Sequence, residues 1–338
     1  MSNRNTSSDA GVFLWMTYQT MQKMGLDSAA IFASVHLPDQ LPDKNVRRAN
    51  STQQRFWQAA EQISQDHCIG LHVGEHMPTF RGQVIEYLFL SSPTFGEGLA
   101  RTIKYQAILS NALSLELVEL EDVAIIRGLE HPVRHYLECA IGLLLNFFKH
   151  MSNQQFQAQK ITLNSADNDD PLEYQRVWNC PVEFNAEHGS IYFDKALLDI
   201  PSPAAEPELL KIHENIASHH LDILEKHQLI IQIEKILSRG ALEKGQIDQQ
   251  QIAQLLGKHP RTLRQDLQLL NTTFDKIIAN YREKLARRLL SQTHESLEQI
   301  VYLTGFSEPS AFSRAFKRWT GETPSAYRLR KQNKNEFD

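Results

Sequence analysis

The sequence has few cysteines and no long apolar run. Its three cysteines, Cys68, Cys139 and Cys180, are few and odd in number, which argues against a disulfide framework and indicates a reducing compartment. No apolar run approaches the roughly 20 residues of a membrane span, so we expect no transmembrane helix. Residues 1–11, MSNRNTSSDAG, lack the apolar core of a signal peptide and are expected to form a frayed tail. A cytoplasmic protein of ordinary composition, 41% hydrophobic and 22% charged, fits these features.

Sequence motifs of the common enzyme classes are also missing. The chain has no Ser/His/Asp order, no P-loop and no GxGxxG motif. It contains neither an internal repeat nor a low-complexity segment. We therefore expect no enzymatic activity and no cofactor.

The charges are unevenly divided along the chain. The overall net charge of −5 would by itself argue against DNA binding. Residues 228–338, however, hold 18 Lys and Arg against 12 Asp and Glu, a net charge of +6. Residues 1–227 hold 17 basic and 28 acidic residues, a net charge of −11. This division predicts an anion-binding module joined to an acidic one.

The length of 338 residues allows two domains, each with its own core. Residues 1–207 are predicted to form an α+β domain, with a β-hairpin over Leu113–Leu129 and a buried helix over Pro132–Lys149. A linking helix is expected over residues 208–227. Residues 228–338 are predicted to form an all-α domain.

Several helix faces can be assigned from spacing. Asp27 is expected to cap a short helix, and the helix that begins near Ser51 or Thr52 is expected to bury one face. That face consists of Phe56, Ala59, Ala60 and Ile63. The linking helix carries an apolar stripe of Leu209, Ile212, Ile216 and Ile223. This stripe either forms a dimer seam or covers the N-terminal core, and the sequence leaves both open.

The most informative stretch is residues 296–330, which predicts two helices joined by a tight turn and then a third. Gly305 ends the first helix because glycine accepts the left-handed conformation of a sharp turn. Phe306 is expected to pack under the turn and Ser307 to cap the second helix, with Pro309 in its first turn. The inward residues of the two helices are Leu297, Ile300, Val301, Leu303, Phe312, Ala315, Phe316 and Trp319.

The outer face of the second helix is cationic and carries hydroxyl groups. Its residues are Ser310, Ser313, Arg314, Lys317 and Arg318. A two-helix unit with an apolar inner face and such an outer face suits the major groove of DNA. A basic helix alone is more often a solvated surface helix, but here a second, similar unit lies upstream.

The upstream unit covers about residues 249–270, and the downstream unit about 297–319. In the upstream unit the turn is predicted at Gly257, and Leu263 and Leu267 point inward. The residues expected to face DNA are Arg261, Thr262, Arg264 and Gln265. Asp266 beside them would repel phosphate. A long helix over residues 273–291 is expected to hold the units at a separation of about 34 Å, so that both enter consecutive major grooves.

The downstream stretch resembles the signature of the AraC/XylS family of transcription regulators, in the order GF-x3-S-x-FSR-x-FKR-x-x-G-x-TPS-x-YR. The matching residues are Gly305, Phe306, Ser310, Phe312, Ser313, Arg314, Phe316, Lys317, Gly321, Pro324, Tyr327 and Arg328. Val301 departs from the family, which commonly has alanine there, and Asp266 stands where a basic residue is common.

The N-terminal half resembles the arabinose-binding-like effector domain of one branch of that family. The resemblance lies in residues 82–98, with Ser91-Ser92-Pro93-Thr94, and in residues 180–184. It implies ligand sensing and dimerisation without identifying the ligand.

Two sets of histidine and cysteine have helical spacing. They are Cys68, His72 and His76, and His131, His135 and Cys139. A spacing of i, i+4, i+8 brings three side chains to one side of a helix, and this combination suits zinc or copper. Isolated His and Cys residues are more often packing or surface residues, and Gly70, Gly74 and Pro132 interrupt the helical spacing.

We therefore predict a sequence-specific DNA-binding transcription regulator, an activator controlled by a small-molecule effector. Its expected partners are double-stranded DNA, an unidentified effector and RNA polymerase, with homodimerisation as a further possibility and no membrane. A regulator whose N-terminal domain has no ligand and a metal- or redox-responsive regulator that uses the His/Cys sets are the alternatives.

Overall fold

The computed structural model describes residues 7–166, 170–242, 248–293 and 295–335. The chain divides into two compact units, Met1–Leu221 and Asp222–Asp338. The first unit combines helices with a sheet and the second is helical, so the predicted α+β and all-α organisation is confirmed. In the described residues no helix is both long enough and apolar enough to cross a membrane.

The first unit contains helices packed against a sheet. In chain order its helices are α1 (Gly11–Lys23), α2 (Ser28–Ala33), α3 (Gln53–Ser64), α4 (Ile69–His76), α5 (Val84–Leu90), α6 (Phe95–Lys104), α7 (Arg134–Met151) and α8 (Pro171–Trp178). Its strands are β1 (Ser8–Asp9), β2 (Arg48–Ala49), β3 (Glu116–Glu119), β4 (Val123–Arg127), β5 (Ala158–Thr162), β6 (Val182–Glu183) and β7 (Ser190–Asp194).

The main sheet has the strand order β3-β4-β7-β5-β6. β3 and β4 form the predicted antiparallel hairpin, in which Glu116 pairs with Arg127. The other pairs are also antiparallel, except that β5 and β6 run parallel. β1 pairs with β2 in a separate two-stranded sheet. Residues 7–11 are therefore part of the fold, and the prediction of a frayed tail is wrong for them; residues 1–6 lie outside the described part of the chain.

The core of the first unit is rich in phenylalanine. The Phe80 and Phe147 rings stack at 4.2 Å between centroids, and Phe148 and Phe193 both contact Phe156. These contacts join α7 to β7, which explains why the sequence of α7 is so apolar. Burying each such ring stabilises the fold by about 1.5–3 kcal/mol.

α4 lies unusually close to α7 because glycine faces the contact. A Cβ atom at Gly70 would lie 2.3 Å from the carbonyl oxygen of His135, and one at Gly142 would lie 2.8 Å from the backbone of Gly74. No larger residue fits at either position without moving a helix. This packing brings the two predicted His/Cys sets onto neighbouring helices.

Three predictions about helix faces can be compared with the structure. The side chain of Asp27 accepts a hydrogen bond from the Ala30 amide and so caps α2, as predicted. In α3, Phe56 and Ala60 are buried as predicted, but Ile63 is 39% exposed and its assignment to the inner face is wrong. Trp57 is buried instead, so the inner face of α3 consists of Phe56, Trp57 and Ala60.

The linking helix is longer than predicted. α9 (Pro207–Ile236) continues without interruption, and a π-helical turn over Leu237–Ala241 follows it. The division between the two units falls within α9. Within the first unit, α9 contacts the core through the partly buried Leu210 and Leu221 and the fully buried Ala217. The stripe named above is exposed instead, by 47% at Leu209, 52% at Ile212, 41% at Ile216 and 37% at Ile223.

The second unit carries two helical pairs around a long helix. Its further helices are α10 (Gln249–Leu255), α11 (Pro260–Leu269), α12 (Phe274–Gln292), α13 (Leu297–Leu303), α14 (Pro309–Thr320) and α15 (Pro324–Asn335). One apolar cluster surrounds α10 and α11, and another surrounds α13 and α14. α12 contributes Ile277 to the first cluster and Leu290 to the second, so it joins the two pairs as the sequence predicts.

Candidate functional site

The downstream helical pair, α13 and α14, has the geometry of a helix-turn-helix. Gly305 has a φ of +72°, so the left-handed turn predicted for it is present. Phe312 and Phe316 are fully buried, and the Phe306 ring contacts the Phe312 ring at 5.6 Å between centroids. Val301 is also buried. The apolar inner face of this unit therefore forms as predicted.

The start of each helix is fixed by different chemistry. The Ser296 hydroxyl accepts a hydrogen bond from the Gln299 amide at 3.1 Å and caps α13. The prediction of Ser307 as the cap of α14 is wrong, because Glu308 occupies that position and its side chain makes no capping hydrogen bond. Pro309 at the first helical position has no amide N–H to satisfy, which lowers the need for a cap.

α12 supports the turn through Arg282. The Arg282 guanidinium donates to the Gly305 carbonyl oxygen at 3.0 Å and lies 5.0 Å above the centre of the Phe306 ring. Burial lowers the pKa of Arg282, although arginine remains protonated at any physiological pH. The Arg282 side chain of α12 therefore stabilises the turn between α13 and α14. The sequence alone did not predict this contact.

The outer face of α14 is open to solvent. Ser310, Arg314, Lys317 and Arg318 are exposed, and Ser313 is half-buried. Among the described residues, no ion pair or side-chain hydrogen bond involves Arg314, Lys317 or Arg318, whereas the Ser310 hydroxyl donates to Glu308 at 3.3 Å. Three cationic side chains are thus available for phosphate oxygens and base edges, and they lie opposite the two buried phenylalanines.

The upstream pair, α10 and α11, repeats this arrangement. Gly257 has a φ of +65° at the turn, and Leu263 and Leu267 are buried. The His259 ring nitrogen accepts a hydrogen bond from the Arg261 amide at 3.2 Å and caps α11. The four residues predicted to face DNA, Arg261, Thr262, Arg264 and Gln265, are all exposed on α11.

An ion pair on this surface was not foreseen. Lys258, in the turn, donates to the carboxylate of Asp266 at 2.9 Å. The acidic charge that the sequence places on α11 is therefore locally neutralised. The pair is eight residues apart and joins a turn to a helix, so no helical spacing rule could have indicated it.

A cavity of about 160 Å³ lies in the first unit. α7 contributes more residues to its wall than any other helix, and α1 and α3 contribute most of the other helical residues. Most of the lining is apolar, and the aromatic residues on it are Phe13, Phe56, Trp57, Phe80, Tyr136 and Phe147.

The cavity wall includes a buried carboxyl group, that of Asp9. Its oxygen accepts hydrogen bonds from the Ser110 hydroxyl at 2.6 Å and the Tyr136 hydroxyl at 2.9 Å. Burial raises the pKa of Asp9, while these hydrogen bonds and the charge of Arg47 act in the opposite direction. Sequence reasoning missed Asp9 because its polar neighbours resemble a disordered terminus.

Comparison with known proteins agrees with both halves of the chain. Residues 25–202 match the model of the N-terminal arabinose-binding domain of AraC transcription regulators, and residues 252–330 match a helix-turn-helix domain model. The chain belongs to the AraC family. It is a DNA-binding transcription regulator, and this is a family of regulators rather than of enzymes.

Relatives of this AraC-family chain include two curated regulators. The ornithine utilization regulator of Pseudomonas aeruginosa is 25% identical over 312 residues, which cover 90% of this chain and 91% of the relative. The HTH-type transcriptional regulator VirS of Mycobacterium tuberculosis is 28% identical over 245 residues, which cover 72% of this chain and 67% of the relative. The crystal structure of the transcriptional regulator CdpR from Pseudomonas aeruginosa covers 93% of this chain and 98% of that chain, with 16% identity and a TM-score of 0.42.

The first His/Cys set is engaged in hydrogen bonds rather than arranged around a metal. The two ring nitrogens of His72 lie 2.6 Å from Asp66 and 2.8 Å from Glu173, and the His76 ring nitrogen lies 2.9 Å from the His72 carbonyl oxygen. Burial alone would lower the pKa of His72, but the hydrogen bonds to Asp66 and Glu173 raise it. Burial raises the pKa of the Cys68 thiol to about 11, which disfavours the thiolate that a metal needs.

The second set is similarly engaged. The two ring nitrogens of His135 lie 2.9 Å from Glu138 and 3.3 Å from Glu61, and the His131 ring packs on Tyr136. Burial raises the pKa of the Cys139 thiol to about 12. In the described part of the chain no group of three or more His, Cys, Asp and Glu residues is placed to hold a metal ion. The predicted metal-binding alternative therefore finds no support in the geometry of either set.

Proposed function

We propose that this protein is a sequence-specific transcription regulator that inserts α11 and α14 into successive major grooves of DNA. We also propose that a small molecule bound in the N-terminal cavity controls its activity. The observation that carries the first part is the face of α14. Arg314, Lys317 and Arg318 are exposed and lack ion-pair partners among the described residues. On the opposite side of the helix, Phe312 and Phe316 are buried and fix its position. A rigid helix with free cations suits groove binding.

The residues on the two helices have different roles in this proposal. Arg314 reads a guanine edge, where arginine forms a bidentate pair with O6 and N7. Lys317 and Arg318 bind phosphates, and Ser310 and Ser313 add hydrogen bonds to the DNA backbone. On α11, Arg261 and Arg264 bind phosphate or base edges, while Thr262 and Gln265 provide neutral hydrogen-bonding groups. A single chain then reads two half-sites about one helical turn apart.

Effector control rests on the cavity and on the family of the N-terminal domain. A largely apolar cavity with a few polar groups is the usual form of a small-molecule site. The domain model is named for arabinose and one relative for ornithine utilization. Both names give candidate ligands for a first screen, and neither describes the chemistry of this cavity.

We further propose that the protein acts in the cytoplasm as a homodimer and activates transcription by contacting RNA polymerase. The exposed stripe of α9 supports the dimer, because Leu209, Ile212 and Ile216 lie on the side away from the face that covers the N-terminal core. Two bound chains whose arrangement changes with ligand could then present or withdraw a surface to the polymerase.

Footprinting of the protein on fragments of its own genome tests the DNA-reading part. We expect protection of two short half-sites on one face of the duplex. Arg314→Ala should cost about 1–3 kcal/mol and relax the base preference at one position, whereas Lys317→Ala should weaken binding to every sequence alike and lower the salt slope by about one.

Arg55→Ala is the matched control, because Arg55 is an exposed arginine of the first unit. It should leave the footprint unchanged. If Arg314→Ala kept both affinity and base preference, the assignment of α14 as the reading helix would be wrong.

A further inference from the structure

The wall of the N-terminal cavity restricts the class of its ligand, an inference that rests on the proposed effector control. The cavity volume of about 160 Å³ is close to the roughly 150 Å³ of an apolar cavity that accommodates benzene. Protein interiors are close-packed and keep few voids larger than a water molecule. The fold therefore leaves room here for a body about the size of one six-membered ring.

Aromatic and aliphatic side chains form most of the cavity wall. The Phe80 ring stacks on Phe147 at 4.2 Å between centroids and meets the edge of the Phe13 ring at 6.4 Å. Met77 and Leu143 also line the cavity and are buried. Because the three rings support one another, they offer a ligand a fixed apolar surface.

Two polar side chains on the wall are engaged with the protein backbone. The Gln106 amide bonds the backbone of Leu115 with both of its ends, at 2.9 and 3.1 Å. The Thr17 hydroxyl donates to a carbonyl oxygen of its own helix at 2.8 Å. Neither side chain has its main hydrogen-bonding group free for a ligand.

The acidic group on the wall, Asp9, has partners at both carboxyl oxygens. One oxygen accepts hydrogen bonds from Ser110 and Tyr136, and the other accepts one from the Gln53 amide at 3.4 Å. The cation of Arg47 lies near enough to lower the pKa of Asp9, against the effect of burial. A ligand with an ammonium group would therefore have to compete with existing partners of this carboxyl group.

Further polar atoms of wall residues do not face open space. The indole nitrogen of Trp57, the hydroxyl of Thr102 and the Nε of Arg48 are all closed off from solvent-sized space. A ligand in the cavity cannot reach these atoms unless the wall rearranges. Arg48 as a whole is half-buried and Thr52 is exposed, so water reaches both side chains without a ligand.

We propose that the cavity binds an uncharged, apolar compound about the size of one ring, such as a simple aromatic or alicyclic hydrocarbon. Moving such a body from water into the cavity is favourable and breaks no hydrogen bond of the wall. Each hydroxyl or charge of a sugar or an amino acid would instead lose its water partners and find the polar groups of the wall engaged or closed off. This class differs from the sugar for which the matched domain model is named.

A bound ring can also act as an effector. The apolar wall combines side chains of α1, α3 and α7, which are separate in the chain. A ligand that contacts all three helices stabilises the arrangement in which they surround it. Selective stabilisation of one arrangement is what an effector must provide.

The test compares three probes that share one aromatic ring and differ in its one-carbon substituent. The probes are toluene, benzoate and benzylamine, with arabinose and ornithine as further compounds, each titrated into the full-length protein by calorimetry at neutral pH. We expect toluene to bind at least about tenfold more tightly than each of the other four, because only toluene leaves no polar group unpaired. Its binding should also show a negative heat-capacity change, the mark of apolar burial. Equal or tighter binding by any of the four, or no binding of toluene up to its aqueous solubility, would overturn the proposal.

A variant that fills the cavity shows whether toluene binds there. Ala140 lines the cavity, so Ala140→Leu should occupy much of the space and weaken toluene at least about tenfold. Ala100→Leu is the matched control, because Ala100 is exposed on α6 and does not line the cavity. It should leave the affinity unchanged. Toluene binding that is insensitive to Ala140→Leu in a variant with wild-type circular dichroism would refute the assignment.

A measurement on the unmodified protein covers the case in which Ala140→Leu does not fold. We expect nuclear Overhauser contacts between the protons of bound toluene and the rings of Phe13 and Phe147. Bound toluene without contacts to either ring would place it outside the cavity and overturn the proposal.

Transcription from the target promoter separates this inference from the proposed function. If arabinose, ornithine or a charged compound binds in the cavity and changes transcription, effector control stands and the assignment to an apolar ligand is wrong. If toluene binds as expected and Ala140→Leu weakens it, but transcription never responds to an occupied cavity, the ligand class stands and effector control fails.

Discussion

On the side of α11 that we propose to face DNA, the carboxylate of Asp266 lies among basic residues, and Lys258 pairs with it at 2.9 Å. Both side chains are partly exposed, so the pair contributes little to folding, about 0–1 kcal/mol. We expect its larger effect to be on DNA binding, because the charge of Asp266 offsets that of Lys258 and weakens the attraction of the lysine for a phosphate.

Asp266→Asn should therefore strengthen binding to all DNA sequences and raise the salt slope by about one, because Lys258 becomes free for a phosphate. A mobility-shift titration over several salt concentrations measures both. The double variant Lys258→Met/Asp266→Asn removes both charges and should bind nearly as the wild type does. Weaker binding by Asp266→Asn alone would mean that the pair itself positions α11.

Residue roles were predictable from the sequence where they follow helical spacing. Phe312 and Phe316 had to face one way, and Arg314 and Lys317 the other, once the turn at Gly305 was identified. The pairing of Lys258 with Asp266 was not predictable, since it depends on how the turn enters α11. Asp9 was missed for a related reason, because its burial arises from contacts with residues that lie 101 and 127 positions away.

At the scale of elements, the two turns of the helix-turn-helix units use glycine in different surroundings. Gly257 and Gly305 both have positive φ. A Cβ at Gly305 would lie 2.8 Å from the carbonyl oxygen of Leu242 and near Arg282, whereas nothing lies within 4 Å of one at Gly257. The first turn therefore needs only a left-handed conformation, and the second needs that conformation and space.

Gly257→Ala should cost about 1–2 kcal/mol, the usual penalty for an L-residue in the left-handed region. Gly305→Ala should cost clearly more, because the new methyl group must also displace Leu242 or the turn. Chemical denaturation of the Asp222–Asp338 unit compares the two variants against each other and against the wild type. Equal losses of stability would show that the backbone at Leu242 yields freely and that the close contact is unimportant.

Most elements were predictable because their signals are local. The β3–β4 hairpin has alternating residues around an acidic turn, and the glycine turns of both helix-turn-helix units have their expected φ. The cap of α14 was assigned one residue too early, because a serine is a better cap than Glu308 in general and the chain here relies on Pro309 instead. The full length of α9 could not be predicted, because its apolar residues pack in two separate clusters, Leu210 and Ala217 in one and Leu229 and Ile233 in the other.

At the scale of the whole molecule, α9 presents two different faces in the first unit. Its inner face is fixed by Ala217 and by hydrogen bonds between Ser91 and His213 and between Tyr105 and Ser218, at 3.1 and 2.9 Å. Its outer face leaves Leu209, Ile212 and Ile216 in solvent. Leu209, Ile216 and Ile223 recur every seven residues, which is the period of a seam between two helices. A second copy of the chain can provide the matching stripe.

Ile212→Glu and Ile216→Glu should therefore each weaken self-association on the order of 10- to 100-fold, because each places a charge opposite apolar side chains of the partner and loses about 1.5–3 kcal/mol of burial. Sedimentation velocity over a range of protein concentrations measures the change. Leu172→Glu is the matched control, since Leu172 is 72% exposed on α8 of the same unit. It should leave the association unchanged. An intact dimer in both α9 variants, or a wild-type protein that remains monomeric at high concentration, would assign the stripe another role and remove the dimer from the proposed mechanism of control.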